Sequence, residues 1–223
     1  MIVKPHKQTA IKTTINPKDE FTNRHKKYHI RFDDNEQYKA RLNDYIIQNQ
    51  IRIPIVPDRC NYKQEAEFGD ASYIYIIGMF YARGFRCEEN YRRAMRWWKL
   101  AGEKGNKSSQ YLLGSTYYFG HVVHKNYKKA AYWLRKAALQ DDDWAQVLLG
   151  DCFYLGRGVA KIYETAAYWY EKAANLGNID AQYMLGVCYY NGSGKPQNLH
   201  VAQRWFSNAA AKHHSAASLH LDC

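Results

Sequence analysis

Between residues 69 and 214 the apolar positions keep helical spacing, and the whole pattern repeats every 36 residues. Within one unit, Ala145, Leu149 and Phe153 recur at i, i+4 and i+8, the stripe of an amphipathic first helix. Gly156-Arg157-Gly158 ends it, since glycine enters the left-handed conformation that closes a helix at little cost. A second helix is expected behind Asn90, Asn126 and Asn198, whose side-chain oxygens suit an N-cap; Ile162 takes that place in the third unit. Ala166, Trp169 and Ala173 then share a core-facing side, with Tyr170 and Lys172 turned elsewhere.

The register is strict. Gly78, Gly114, Gly150 and Gly186 form one column, Gly84, Gly120, Gly156 and Gly192 a second, and Trp97, Trp133, Trp169 and Trp205 a third. Alanines hold two more, at 94, 130, 166 and 202 and at 101, 137, 173 and 209. Helix pairs of this size cannot bury their faces alone, so neighbours must stack and share a continuous core. The predicted fold is an all-α solenoid of four helix pairs.

Upstream, residues 35–47 and 58–68 fall in register with first and second helices, predicting a degenerate N-terminal capping pair over 35–68. The Ile53-Pro54-Ile55-Val56-Pro57 segment between them is extended, because a residue before proline is pushed out of the helical region. Residues 1–34 form a polar, basic arm without period, either flexible or ordered by a partner. Residues 215–223 begin a fifth first helix or form a cap.

A hydrophobic content of 46% and an aromatic content of 15% place the chain among globular proteins. No apolar run approaches the roughly 18 residues of a membrane span, and the first ten residues lack a secretory h-region, so a cytoplasmic chain is expected. Five cysteines without CxxC spacing argue against a disulfide framework and for a reducing compartment. Cys152 and Cys188 share a column with Phe80 and Thr116, which marks them as small core fillers. The net charge of +11 resides mostly within the repeats, where 19 Lys and Arg face 11 Asp and Glu beyond residue 70.

The run Ala181-Gln182-Tyr183-Met184-Leu185-Gly186, followed by Tyr189, Gly192 and Gly194, resembles the Sel-1-like repeat, as does Trp169-Tyr170-Glu171-Lys172-Ala173-Ala174. Four copies cover residues 69–214. The resemblance implies a tetratricopeptide-like, right-handed α-α superhelix acting as a protein-binding scaffold. Small bacterial members can serve as immunity partners that neutralise a toxin. Departures are Lys195 in place of a usual valine, Phe85-Arg86-Cys87 and His121-Val122-Val123 in place of a second loop glycine, and Ile162 at the cap.

Candidate chemistry is sparse. His121 with His124, and His213 with His214, are the nearest approaches to a cluster, and neither has a cysteine or carboxylate at ligand spacing. The Gly-x-Gly triplets at Gly156 and Gly192 lack the preceding strand and following Lys-Ser/Thr of a phosphate loop and read as turns. Asp141-Asp142-Asp143 suits capping of the next helix better than cation binding. No catalytic constellation stands out, and no metal, cofactor or enzymatic activity is expected.

Two candidate partner-binding surfaces remain. Positions opposite the first-helix stripe carry Tyr75, Tyr111, Tyr118, Asp151, Tyr154, Tyr183 and Tyr190, predicting a tyrosine-lined concave groove. The alternative is that these tyrosines pack between repeats. Arg92, Arg96 and Lys99 share one face of the first repeat's second helix, suited to an acidic partner or a phosphate backbone. The expected function is capture of another protein, as adaptor or stoichiometric inhibitor, with nucleic-acid binding through the basic first repeat as the alternative.

Overall fold

The computed structural model describes residues 70–84, 88–120, 122–218 and 220. The arm at 1–34, the capping pair at 35–68, the 85–87 loop, His121, Cys60, Cys87 and Cys223 lie outside them. Eight helices of similar length follow in order: α1 (Ala71–Arg83), α2 (Tyr91–Glu103), α3 (Lys107–Phe119), α4 (Tyr127–Ala138), α5 (Asp143–Leu155), α6 (Tyr163–Asn175), α7 (Ile179–Asn191) and α8 (Leu199–Ala211). A single turn, α9 (Ser215–Ser218), closes the described chain. Helices α3, α5 and α7 each pack on the even helix after them and on the even helix before them, and α1 packs on α2, which makes a solenoid of paired helices.

Local chemistry sets the helix boundaries. Asn90, Asn126 and Asn198 accept from the amides of Arg93, Lys129 and Val201 at 2.9, 3.0 and 3.0 Å, whereas Ile162 makes no such bond. First helices are capped from a different column. Asn106, Asp142 and Asn178 accept from Ser109, Ala145 and Ala181, and His214 continues the column by accepting through Nδ1 from Ala217 at 3.1 Å. Asp142 thus performs the capping expected of the aspartate run, while Asp141 takes a left-handed φ of 54° to turn the chain. Gln110, Gln146 and Gln182, also 36 apart, donate to the carbonyls of Gly102, Ala138 and Ala174 and so tie each first helix to the end of the preceding pair.

The tightest contact lies inside each pair. A Cβ placed on Gly150 would come within 2.6 Å of the Tyr170 ring, one on Gly114 within 2.6 Å of Leu134, and one on Gly186 within 2.7 Å of Phe206; Gly78 meets Trp98 in the same way. The residues seated on the glycines, Trp98, Leu134, Tyr170 and Phe206, are each no more than 2% exposed. They lie one position after the tryptophan column. This corrects the phasing that turned Tyr170 away from the core: its ring is buried, and its hydroxyl donates to Asp151 Oδ1 at 2.7 Å. Trp133 and Trp169 are still buried, at 6% and 7%, but Trp97 and Trp205 are only half-buried. Spacings of three and four allow either phase, so periodicity alone did not separate the two columns.

Successive pairs also meet at their loops. Gly158 and Gly194, with φ of 75° and 74°, press against the backbone of Tyr127 and Tyr163, the first residues of the preceding second helices. Lys195, where the resemblance suggested valine, forms a 2.8 Å ion pair with Glu171 on α6. Val123, in a loop without the second glycine, packs against the N-terminal part of the core.

Helix propensity favours Ala over Gly by about 1 kcal/mol in a helix interior. Steric conflict with a ring that cannot retreat costs typically 1–3 kcal/mol. Gly150→Ala is therefore expected to lower the urea midpoint, and a raised midpoint would show that the pair is loosely packed. Tyr170→Ala is expected to cost about 3–5 kcal/mol, and Trp169→Ala no more than that. A Trp169→Ala midpoint equal to the parent's would contradict its burial.

Cys152 and Cys188 are buried free thiols. Desolvation raises the Cys152 pKa, with Asp151 acting in the same direction, so the reactive thiolate is suppressed. Neither cysteine is expected to react with a thiol reagent in the folded protein, and both are expected to react once it is unfolded. Peptide mapping that finds prompt native labelling at Cys152, or a disulfide between the two, would contradict this packing.

Candidate interaction surface

The first helices are covered on nearly every side. In α5 the ten residues from Ala145 to Tyr154 are all buried, and in α7 the eight from Ala181 to Cys188. These helices are apolar around most of their circumference, the signature of a buried helix rather than of one with a free face. The expected tyrosine groove is corrected accordingly. Tyr75, Tyr118, Asp151, Tyr154 and Tyr183 are buried, while Tyr111 and Tyr190 are half-buried and packed against the core.

Tyr118 and Tyr183 use their hydroxyls between repeats. Tyr118 Oη accepts from Arg157 Nη1 at 3.0 Å, and the guanidinium lies 5.6 Å and 5.2 Å from the Tyr118 and Tyr127 ring centroids. Desolvation holds the Tyr118 phenol well above its ordinary pKa, an effect that nearby Asp151 reinforces and Arg157 opposes. Burial likewise lifts Tyr154 to about 12. At the C-terminal end Tyr183 stacks on His214 at 4.5 Å, and His214 Nε2 pairs with Asp180 at 3.2 Å. A neutral phenol committed to such contacts builds the solenoid rather than displaying a binding face.

The second helices point outward. Arg92, Arg96 and Lys99 are exposed on α2, and Lys128, Tyr132 and Arg135 occupy the equivalent positions of α4. Together these helices carry eight basic side chains against a single acid, Glu103, whereas α6 carries two acids and one base. Lys99 approaches Glu103 at 3.7 Å, but both are more than half exposed, and such a pair contributes only about 0.3–0.5 kcal/mol. It leaves Lys99 available to a partner.

Aromatic rings fix several of these cations. Arg93 and Lys129 lie over Tyr81 and Tyr117 at 5.9 and 5.4 Å, one equivalent position in two repeats. Lys136 and Lys172 lie over Tyr132 and Tyr168 at 4.8 and 5.6 Å, a second such position. Tyr132 and Tyr168 keep 55% and 49% exposure, and each stands edge-on to the next tryptophan. Sequence reading assigned them no role, although i to i+4 spacing of Tyr and Lys in two registered copies was there to be read.

Other candidate chemistry resolves into structure. Among the described residues no group of three His, Cys, Asp or Glu side chains is placed to hold a metal ion. His124 and His213 are exposed, the latter with a left-handed φ of 64°. The Gly-x-Gly triplets act as turns that seat one repeat on the next. No helix among the described residues is long and apolar enough to cross a membrane.

Comparison with known proteins agrees with this architecture. The Sel1 repeat model matches residues 71–106, 107–142, 145–178 and 179–214. Among solved structures, the chain is similar to a protective antigen present in uropathogenic Escherichia coli strains that displays an SLR fold, with 32% identity and a TM-score of 0.67. That match covers 72% of this chain and 34% of the antigen. A Sel1 repeat protein from Oxalobacter formigenes is 30% identical with a TM-score of 0.64, over 72% of this chain and 47% of its own. The chain thus spans a third to a half of the length of these relatives. No curated protein matches it in sequence. Four consecutive matched units, each a glycine-seated helix pair, place the chain in the Sel1 repeat family.

Proposed function

We propose that the chain is a non-catalytic scaffold that captures another protein in a complex of fixed stoichiometry, as an adaptor or an inhibitor. The observation that carries this reading is the division between first helices, whose middle residues are buried, and an outer layer rich in cations with the exposed rings of Tyr132 and Tyr168. Extended surfaces built from repeated elements suit protein recognition, where arginine and tyrosine are over-represented among the residues that matter most. In its most specific form the role is neutralisation of a toxin by an immunity-like partner, as resemblance to small bacterial Sel-1-like proteins implies. Arg92, Arg96 and Lys99 belong to the binding surface in this reading. Of the tyrosines expected to line the groove, Tyr111 and Tyr190 keep surface to contribute.

Nucleic-acid binding is the second reading, favoured by the cations of α2 and α4 and the exposed ring of Tyr132. Single strands are held by stacking of bases on free ring faces. Lys136 and Lys172 already lie over Tyr132 and Tyr168, which weighs against that mode.

Affinity purification of the tagged full chain from its native cell, with nuclease treatment and light scattering of the eluate, tests the choice. The scaffold reading expects one protein to co-elute at fixed ratio and to survive nuclease. Recovery of nuclease-sensitive material alone, with binding that falls steeply as salt rises, would overturn it in favour of nucleic acid.

A further inference from the structure

Positive charge on this solenoid is unevenly placed. The second helices of the first two repeats hold it, and the later pairs do not continue it: α6 has Glu164 and Glu171 against Lys172, and α8 has Arg204 alone. On α2 and α4 the exposed residues are equivalent in the 36-residue register: Arg92 with Lys128, Arg96 with Tyr132, and Lys99 with Arg135. Within each helix these positions are spaced by four and three, so they share a face, and α3 packs on both α2 and α4, which places the two faces on consecutive repeats. The C-terminal ends of the two helices are linked directly, since Gln140 Nε2 after α4 donates to the Gly105 carbonyl after α2 at 3.1 Å. We propose that this two-helix grid is the docking surface for an acidic protein segment, whose carboxylates engage the arginines and lysines around Tyr132.

Charge complementarity chooses the occupant. A second copy of the chain would bring one basic grid against another, and like charges across an interface are repulsive. Single-stranded nucleic acid matches the charge but needs open ring faces, and Lys136 lies over Tyr132, the one aromatic residue of the grid. An acidic segment needs no such face. It gains from side chains ordered in advance: the rings under Arg93, Lys129 and Lys136 hold these flanking cations in place, which reduces the entropy lost on binding. Planar guanidinium groups at 92, 96 and 135 suit two-point contact with carboxylates.

This inference rests on the protein-binding reading and names its surface and the chemistry of its partner. The test uses the full chain and a fluorescein-labelled polyglutamate peptide, followed by anisotropy at fixed salt. The grid variant carries Arg96→Glu, Lys99→Glu and Arg135→Glu. A control variant removes the same charge elsewhere through Lys161→Glu, Arg204→Glu and Lys212→Glu, all at exposed positions. Circular dichroism is expected to show both variants folded. The grid variant is expected to bind the peptide about tenfold more weakly than the control, the effect of losing roughly 1.4 kcal/mol of complementarity.

Equal weakening of both variants would show only diffuse attraction to a cationic protein and would overturn the proposal. Tighter binding of an oligothymidylate of equal charge, lost in the grid variant, would assign the surface to nucleic acid instead. Self-association of the parent that the grid variant abolishes would assign it to a second copy. A native complex undiminished by the grid variant would remove this surface and leave the scaffold reading standing, whereas failure to form any complex would remove the scaffold reading itself.

Discussion

The solenoid depends on the close approach of two helices at one residue. At Gly78, Gly114, Gly150 and Gly186 the first helix has no side chain, and a bulky residue of the second helix lies against its backbone. Glycine in a helix interior costs about 0.5–1 kcal/mol relative to alanine, so four registered copies are retained against local propensity. The return is burial of Trp98, Leu134, Tyr170 and Phe206, each a side chain whose removal from water contributes about 1.5–3 kcal/mol. Variation in the seated residue shows that the constraint is on space rather than on identity. Indole, isobutyl, phenol and phenyl groups all fill the site that the missing Cβ leaves.

Once the pairs cross that closely, the roles of the helices follow. Each first helix lies between its own second helix and the preceding one, and α3 also meets α5, so little of its surface is left for solvent. Second helices keep one polar face. Building the solenoid and displaying chemistry are thereby assigned to different faces. Buried Tyr118, Asp151 and Tyr170, with half-buried Arg157, belong to the first task, and the exposed cations of α2, α4 and α6 with Tyr132 and Tyr168 to the second. Among the described residues, charge that is dense on two outer helices and thin on the next two makes the first two repeats basic without altering the repeat geometry.

Much of the fold was legible in the sequence because a strict register repeats every error-free signal four times. The glycine and alanine columns, the asparagine caps and the missing cap at Ile162 all stand where periodicity put them. What failed was the radial phase of each helix. A first helix such as Asp143–Leu155 has apolar residues on all sides, so subtracting one stripe left Tyr154 on an imagined outer face that the neighbouring pairs in fact cover. The column of Asn106, Asp142, Asn178 and His214 escaped notice for another reason: its members share a hydrogen-bonding task but not an identity. Tyr132 and Tyr168 were overlooked because the adjacent tryptophans carried the obvious repeat.

The central claim is that Tyr118, Tyr154 and Tyr183 on first helices are interior, whereas Tyr132 and Tyr168 on second helices are at the surface. Limited tyrosine nitration of the folded chain, read residue by residue by peptide mass spectrometry, tests it most directly. The account expects early modification at Tyr132 and Tyr168, with Tyr118, Tyr154 and Tyr183 unmodified until the protein is unfolded. Modification of Tyr118 or Tyr154 at the rate of Tyr132 in the folded protein would contradict it and return the binding surface to the first helices.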